Sequence, residues 1–221
     1  MYVLHYFPDT ASLAVRMVLA ELGVPHQARL IDRDGGALSS QAYLRLHPLG
    51  KIPAMETPDG PMFETAAMLL HLCDAHPGPM APAPDSPERA AFLSWLFFTS
   101  TNIHPTLLHL FYPDRLAGQD CAPQVQVHAR ALMQTLLGNL ETMTTRDTPD
   151  WLSATKPTLL GYYIAMLLRW LGSMPADHPA YFVSTDYPAL HRVLAYLETR
   201  TATQTIAADE ALGLTPFTHP I

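Results

Sequence analysis

At 221 residues, 48% of them hydrophobic and 15% charged, the chain is long enough to bury one large core or two small ones. Its formal net charge of −7 at pH 7 argues against nucleic acid or an anionic membrane as partner. Two cysteines, Cys73 and Cys121, make no disulfide framework, and no stretch approaches the roughly 20 consecutive apolar residues of a membrane span. Tyr2 to Tyr6 runs at once into Pro8 and Asp9, without a basic segment and a long apolar run, so a cytoplasmic protein is expected.

Tyr2-Val3-Leu4-His5-Tyr6 is rich in strand formers and reads as a central strand. After a loop from Phe7 to Ala11, Ser12 is expected to cap a helix whose Val15, Val18, Leu19 and Leu22 recur at helical spacing up to Gly23. His26 to Ile31 reads as a second strand, Asp32 to Ala37 as a loop, and Ser39 to His47 as a short polar helix stopped by Pro48. Ile52 to Glu56 is a third strand, Pro58-Asp59-Gly60 a tight turn, and Met62-Phe63 the return strand of a hairpin. Glu64-Thr65 then opens an apolar helix from Ala66 to Cys73. A parallel pair with a helical crossover, followed by a hairpin, gives one mixed sheet covered by helices.

Pro53 stands at the start of a sheet strand, where it removes a ladder donor. A cis Ile52–Pro53 bond, turning the peptide groups of Ile52 outward toward an extended ligand, and an ordinary hairpin with a trans proline both account for it. Next to that edge lies a helix N-terminus carrying a carboxylate and a hydroxyl, able to hold an ammonium and a carboxylate together.

Gly50-Lys51-Ile52-Pro53 followed by Phe63-Glu64-Thr65 resembles the glutathione-binding half of the glutathione S-transferase family. The resemblance implies an α/β thioredoxin-like N-terminal domain followed by an all-α C-terminal domain. It implies that Ile52, before a cis Pro53, pairs with the cysteinyl backbone of glutathione. Glu64 and Thr65 would hold the γ-glutamyl group, and Lys51 would face the glycine carboxylate. It also implies a homodimer.

Five prolines (77, 79, 82, 84, 87) between His76 and Pro87 mark a semi-rigid linker. The expected division is 1–77 for the glutathione-binding domain, 78–86 for the linker and 87–221 for the helical domain. Ser86-Pro87 starts a helix that runs past Trp95 toward Leu110, with a kink at Pro105. Val125, Ala129, Leu132, Leu136, Leu140 and Met143 define a second long helix, Thr158 caps a third, and Pro188 starts a fourth. The last 20 residues read as a tail over the surface. The family commonly places Asp three residues after the cap of the third helix; here that residue is Gly161, so the reciprocal capping bond is lost and a compensating contact is expected.

Conjugation needs the glutathione sulfur as thiolate, which a hydroxyl donor and a helix N-terminus favour. Tyr6 to Ala14 resembles the opening of bacterial beta-class members, in which Cys precedes the Ser-Leu-Ala triplet; Ala11 stands at that position. Ser12 is the first candidate for the thiolate-stabilising hydroxyl, Tyr6 the second and Thr10 a third, while Ser12 as a mere cap is the plainer alternative. His104 lies where beta-class members carry a histidine facing the glutathione site. Tyr162, Tyr163 and Trp170 read as core, or as walls of a pocket for a hydrophobic electrophile. The 11 histidines include no HExxH motif or cluster of ligand spacing, so no metal is expected. Two functions fit: a transferase joining the glutathione thiolate to a hydrophobic electrophile, or a non-catalytic protein of the same fold that binds glutathione or a hydrophobic ligand.

Overall fold

The computed structural model describes residues 1–221. The first part runs β1 (Tyr2–Tyr6), α1 (Ser12–Glu21), β2 (His26–Leu30), a 3-10 turn (Ala37–Ser39), α2 (Gln41–Leu44), β3 (Ala54–Thr57), β4 (Gly60–Phe63) and α3 (Thr65–Ala75). The sheet order is β2-β1-β3-β4. β1 pairs parallel with β2 and antiparallel with β3, and β3–β4 is a hairpin. The parallel pair needs the crossover that α1 supplies. Leu4 and Met55, fully buried, point to the side of the sheet covered by α1 and α3, while Ala54 and Ile31 pack on the other side with Tyr43 of α2. This is the thioredoxin-like order.

The second part is helical: α4 (Arg89–Phe98), a π turn (Thr99–Ile103), α5 (His104–Phe111), α6 (Asp114–Ala117), α7 (Ala122–Asp147), α8 (Leu159–Gly172), α9 (Pro188–Glu198) and α10 (Thr201–Asp209). α8 is buried almost all round and packs on α1 and α3 of the first part as well as on α9. A single cluster of 50 buried apolar residues therefore runs through both parts, so the proline-rich linker divides the chain pattern but not the core.

Several local expectations are corrected. Ser12 does not cap α1; it is the first helical residue, Ala11 occupies the cap position, and no side chain caps the helix. The hydroxyl of Ser12 instead donates to the carbonyl of Phe7 at 3.0 Å. The helix expected over 39–47 shrinks to α2, because Ser40 caps at that point and accepts the Tyr43 N–H at 3.1 Å. The expected kink at Pro105 is a full π turn ahead of α5; the widened turn accommodates a ring that cannot donate to it. Nor are the last 20 residues a surface tail. α10 buries Thr203, Ile206 and Ala207 at helical spacing, and Phe217 beyond it is 1% exposed. At α8, Thr158 does cap, accepting the Gly161 N–H at 3.1 Å, and the compensating contact is a bond from the Leu159 N–H to the Met80 carbonyl of the linker at 2.9 Å.

Candidate active site

The start of β3 presents a free stretch of main chain. The Ile52–Pro53 bond is cis, and neither the N–H nor the C=O of Ile52 has a partner within the chain. On its N-terminal side the backbone is fixed: the Tyr43 hydroxyl donates to the Lys51 carbonyl at 2.8 Å, and burial pushes that phenol up to about 12. Gly50 has φ +58 and packs so closely that a Cβ would sit 2.6 Å from the Leu38 carbonyl, so the turn demands glycine there. Unpaired main-chain groups held rigidly at the accessible entry to a strand are what an extended peptide ligand pairs with.

Beside this edge, Glu64 occupies the cap position of α3 with φ 73, a conformation a non-glycine residue adopts at a cost on the order of 1–3 kcal/mol. Its carboxylate is exposed and makes no bond within the chain; the Thr65 hydroxyl, on a buried residue, makes none either. The N–H groups of Thr65, Ala66 and Ala67 are also unpaired, since the first bond back into α3 is Met68 N–H to the Glu64 carbonyl. The site thus offers a carboxylate for an ammonium, and a hydroxyl with a helix N-terminus for a carboxylate.

α8 packs on α3, and α5 packs on α8. His104 Nδ1 lies 2.9 Å from the Tyr163 hydroxyl, and its ring meets the edges of Tyr163 and Trp170, each with centroids 5.8 Å apart. Burial, with the charge of Lys51 adding, holds the His104 imidazole down at about 4, so it is neutral at pH 7. Burial also pushes the Tyr163 phenol up, with Glu64 contributing. Lys51 and Glu64 act on His47 as well, a 5% exposed residue whose imidazole burial lowers. The charges of Lys51 and Glu64 therefore bear on His104 and Tyr163 of the helical part as well as on His47.

The activating hydroxyls are placed less openly. Ser12 is fully buried, and its hydroxyl shares the Phe7 carbonyl with Thr10, whose Oγ1 lies 2.8 Å from Ser12 Oγ. Thr10 itself is partly exposed. Tyr6 carries the Arg16 guanidinium 4.3 Å from its ring centroid. The loop holding Thr10 is anchored by Asp9 at φ 51. The Asp9 carboxylate receives Arg169 twice at 2.9 Å and Trp170 Nε1 at 3.1 Å, and its N–H donates to Glu210 at 2.8 Å. Glu210 in turn holds Arg16 at 2.6 Å, and its carboxyl is raised chiefly by burial. Sequence reasoning missed His47, Asp9, Arg169 and Glu210. Only Arg169 left a trace, as the single charge in the apolar run of α8. Of the aromatic residues considered for the pocket, Tyr163 and Trp170 stand against His104, whereas Tyr162 is structural, its hydroxyl donating to Glu21 at 2.8 Å.

A family model described as "Glutathione S-transferase, N-terminal domain" matches residues 11–75. "Glutathione S-transferase GST-4.5" of Xanthomonas campestris is 26% identical over 172 residues, which cover 77% of this chain and 82% of that one. "Probable elongation factor 1-gamma 1" of Arabidopsis thaliana is 24% identical over 95% of this chain, which spans only 52% of that longer protein. The crystal structure of a glutathione transferase homologue from Sulfitobacter with bound glutathione superposes with a TM-score of 0.78 at 21% identity, covering 95% of this chain and 98% of the other. Over residues 11–75 the chain thus matches the N-terminal domain of the glutathione S-transferase family, and its whole-chain fold is that of the glutathione transferase structures.

Proposed function

We propose that the protein binds glutathione along the start of β3 and transfers its thiolate to a hydrophobic electrophile. The observation that carries this reading is the unpaired main chain of Ile52 beside Glu64, Thr65 and the open N-terminus of α3. The cysteinyl backbone pairs with Ile52, the γ-glutamyl ammonium meets Glu64, its carboxylate meets Thr65 and the N–H groups of α3, and the glycine carboxylate faces Lys51. Ser12, shut off from solvent, acts through Thr10. While the Ser12 hydroxyl donates to the Phe7 carbonyl, the Thr10 hydroxyl can turn from that carbonyl and donate to the sulfur. In the reaction the thiol proton leaves to solvent, a sulfur–carbon bond forms, and the electrophile's leaving group departs with the electron pair. Tyr6 is the alternative hydroxyl. We further propose a cytoplasmic homodimer, as the family resemblance implies.

Turnover of an aryl halide tests the assignment. Ser12→Ala and Thr10→Val should each lower kcat/KM by about 10²-fold while Tyr6→Phe leaves it near wild type; loss in Tyr6→Phe alone would move the role to Tyr6. A second reading, a non-catalytic protein that holds glutathione or a hydrophobic ligand, is favoured by Ala11 and by hydroxyls already bonded to Phe7. A thiolate ultraviolet band from bound glutathione at neutral pH supports catalysis, and tight binding without that band supports the second reading.

A further inference from the structure

We propose that Tyr163 is a positioning residue that fixes His104 in its Nε2–H tautomer, so that the imidazole gives a neutral N–H donor to the glutathione sulfur; this rests on the reading above. The Tyr163 side chain is 1% exposed, and its hydroxyl has one hydrogen-bond partner, His104 Nδ1. If Nδ1 carried the proton and donated, the phenolic O–H would be buried with no acceptor, an unmade bond that folded proteins avoid. In the reverse arrangement the phenol donates to Nδ1 and every buried group is used. The imidazole proton then sits on Nε2, which has no partner within the chain and is not among the enclosed, unsatisfied atoms. Packing against Tyr163 and Trp170 keeps the ring from swinging out.

Two charges act on this pair: Lys51 opposes protonation of His104, and Glu64 opposes ionisation of Tyr163. Both keep the pair uncharged, as a donor that must not become a competing acid requires. No bond is made or broken at His104; its proton stays on Nε2 while the sulfur proton goes to solvent.

Nitrogen-15 NMR of the full chain tests the tautomer directly. Wild type should show His104 as the Nε2–H form, and Tyr163→Phe a mixture of both; the Nδ1–H form in wild type would overturn the proposal. Tyr163→Phe should keep glutathione affinity within about twofold of wild type, yet lose about 10-fold in kcat/KM and shift the thiolate titration to higher pH, as loss of an orienting partner does. An unchanged titration alongside a changed tautomer would remove the sulfur as recipient of the N–H. If wild type binds no glutathione, the functional reading itself fails, a result told apart because the Nε2–H form would persist.

Discussion

His104 makes stability depend on pH in a way that can be isolated. Its imidazole is held down at about 4 in the folded protein, first by burial and then by Lys51, against an ordinary value of 6.5. The unfolded chain therefore takes up a proton that the folded chain refuses. The stabilisation is complete above 6.5 and is lost as pH falls toward 4, because a charged His104 would be buried and the Tyr163 hydroxyl would lose its acceptor. Between about pH 8 and about pH 5 this one group should cost roughly 2 kcal/mol. His104→Asn cannot titrate there, so its unfolding free energy should fall less over the same interval by that amount. Urea unfolding of both proteins at the two pH values provides the measurement. Packing lost in the variant lowers both of its values alike and cancels in the difference. Parallel pH profiles for the two proteins would refute the claim that His104 is kept neutral.

Thr158→Ala removes the cap of a helix buried on nearly every side and should cost about 1–2 kcal/mol, read from the urea midpoint; an unchanged midpoint would mean that the Met80 contact alone secures that end. Gly161→Ala should destabilise the protein although alanine gains about 1 kcal/mol in helix propensity, because its Cβ would lie 2.8 Å from the capping Thr158 Oγ1. A stabilised variant would contradict that packing. Asp9→Asn leaves Arg169, 2% exposed, opposite a neutral amide and should lower stability by about 2 kcal/mol. Its glutathione turnover should fall further than its binding, since the loop bearing Thr10 loses its anchor; equal losses in both would argue against that positioning.

Local signals carried most of the fold. The alternation of strand formers, Gly and Pro punctuation, and the 3.6-residue rows of leucine were enough to set out β1 to α3 and the four long helical segments, because each depends on residues a few positions apart. The candidate glutathione-binding stretch could be picked out for the same reason: Lys51 to Pro53 and Glu64-Thr65 directly flank one hairpin, β3–β4. What failed depended on distant partners. The tail was misjudged because Thr203, Ile206 and Ala207 form a buried face only once the rest of the core exists to receive it. Ser12 reads as a cap in isolation, yet Ala11 continues in a helical conformation and leaves the hydroxyl to Phe7. Tyr163 and His104 are 59 residues apart, and Asp9 and Arg169 are 160 apart. No periodicity links such pairs: the packing of α5 on α8 brings the first together, and the packing of α8 against the first loop brings the second.

Calorimetric titration of glutathione into wild type and into Glu64→Ala weighs the central claim most directly. Saturable binding by wild type, weakened at least about 10-fold when the carboxylate opposite the ammonium is removed, is the predicted result. No binding heat in wild type across several temperatures, or equal affinity in the two proteins, would contradict a glutathione site built on Ile52 and the start of α3.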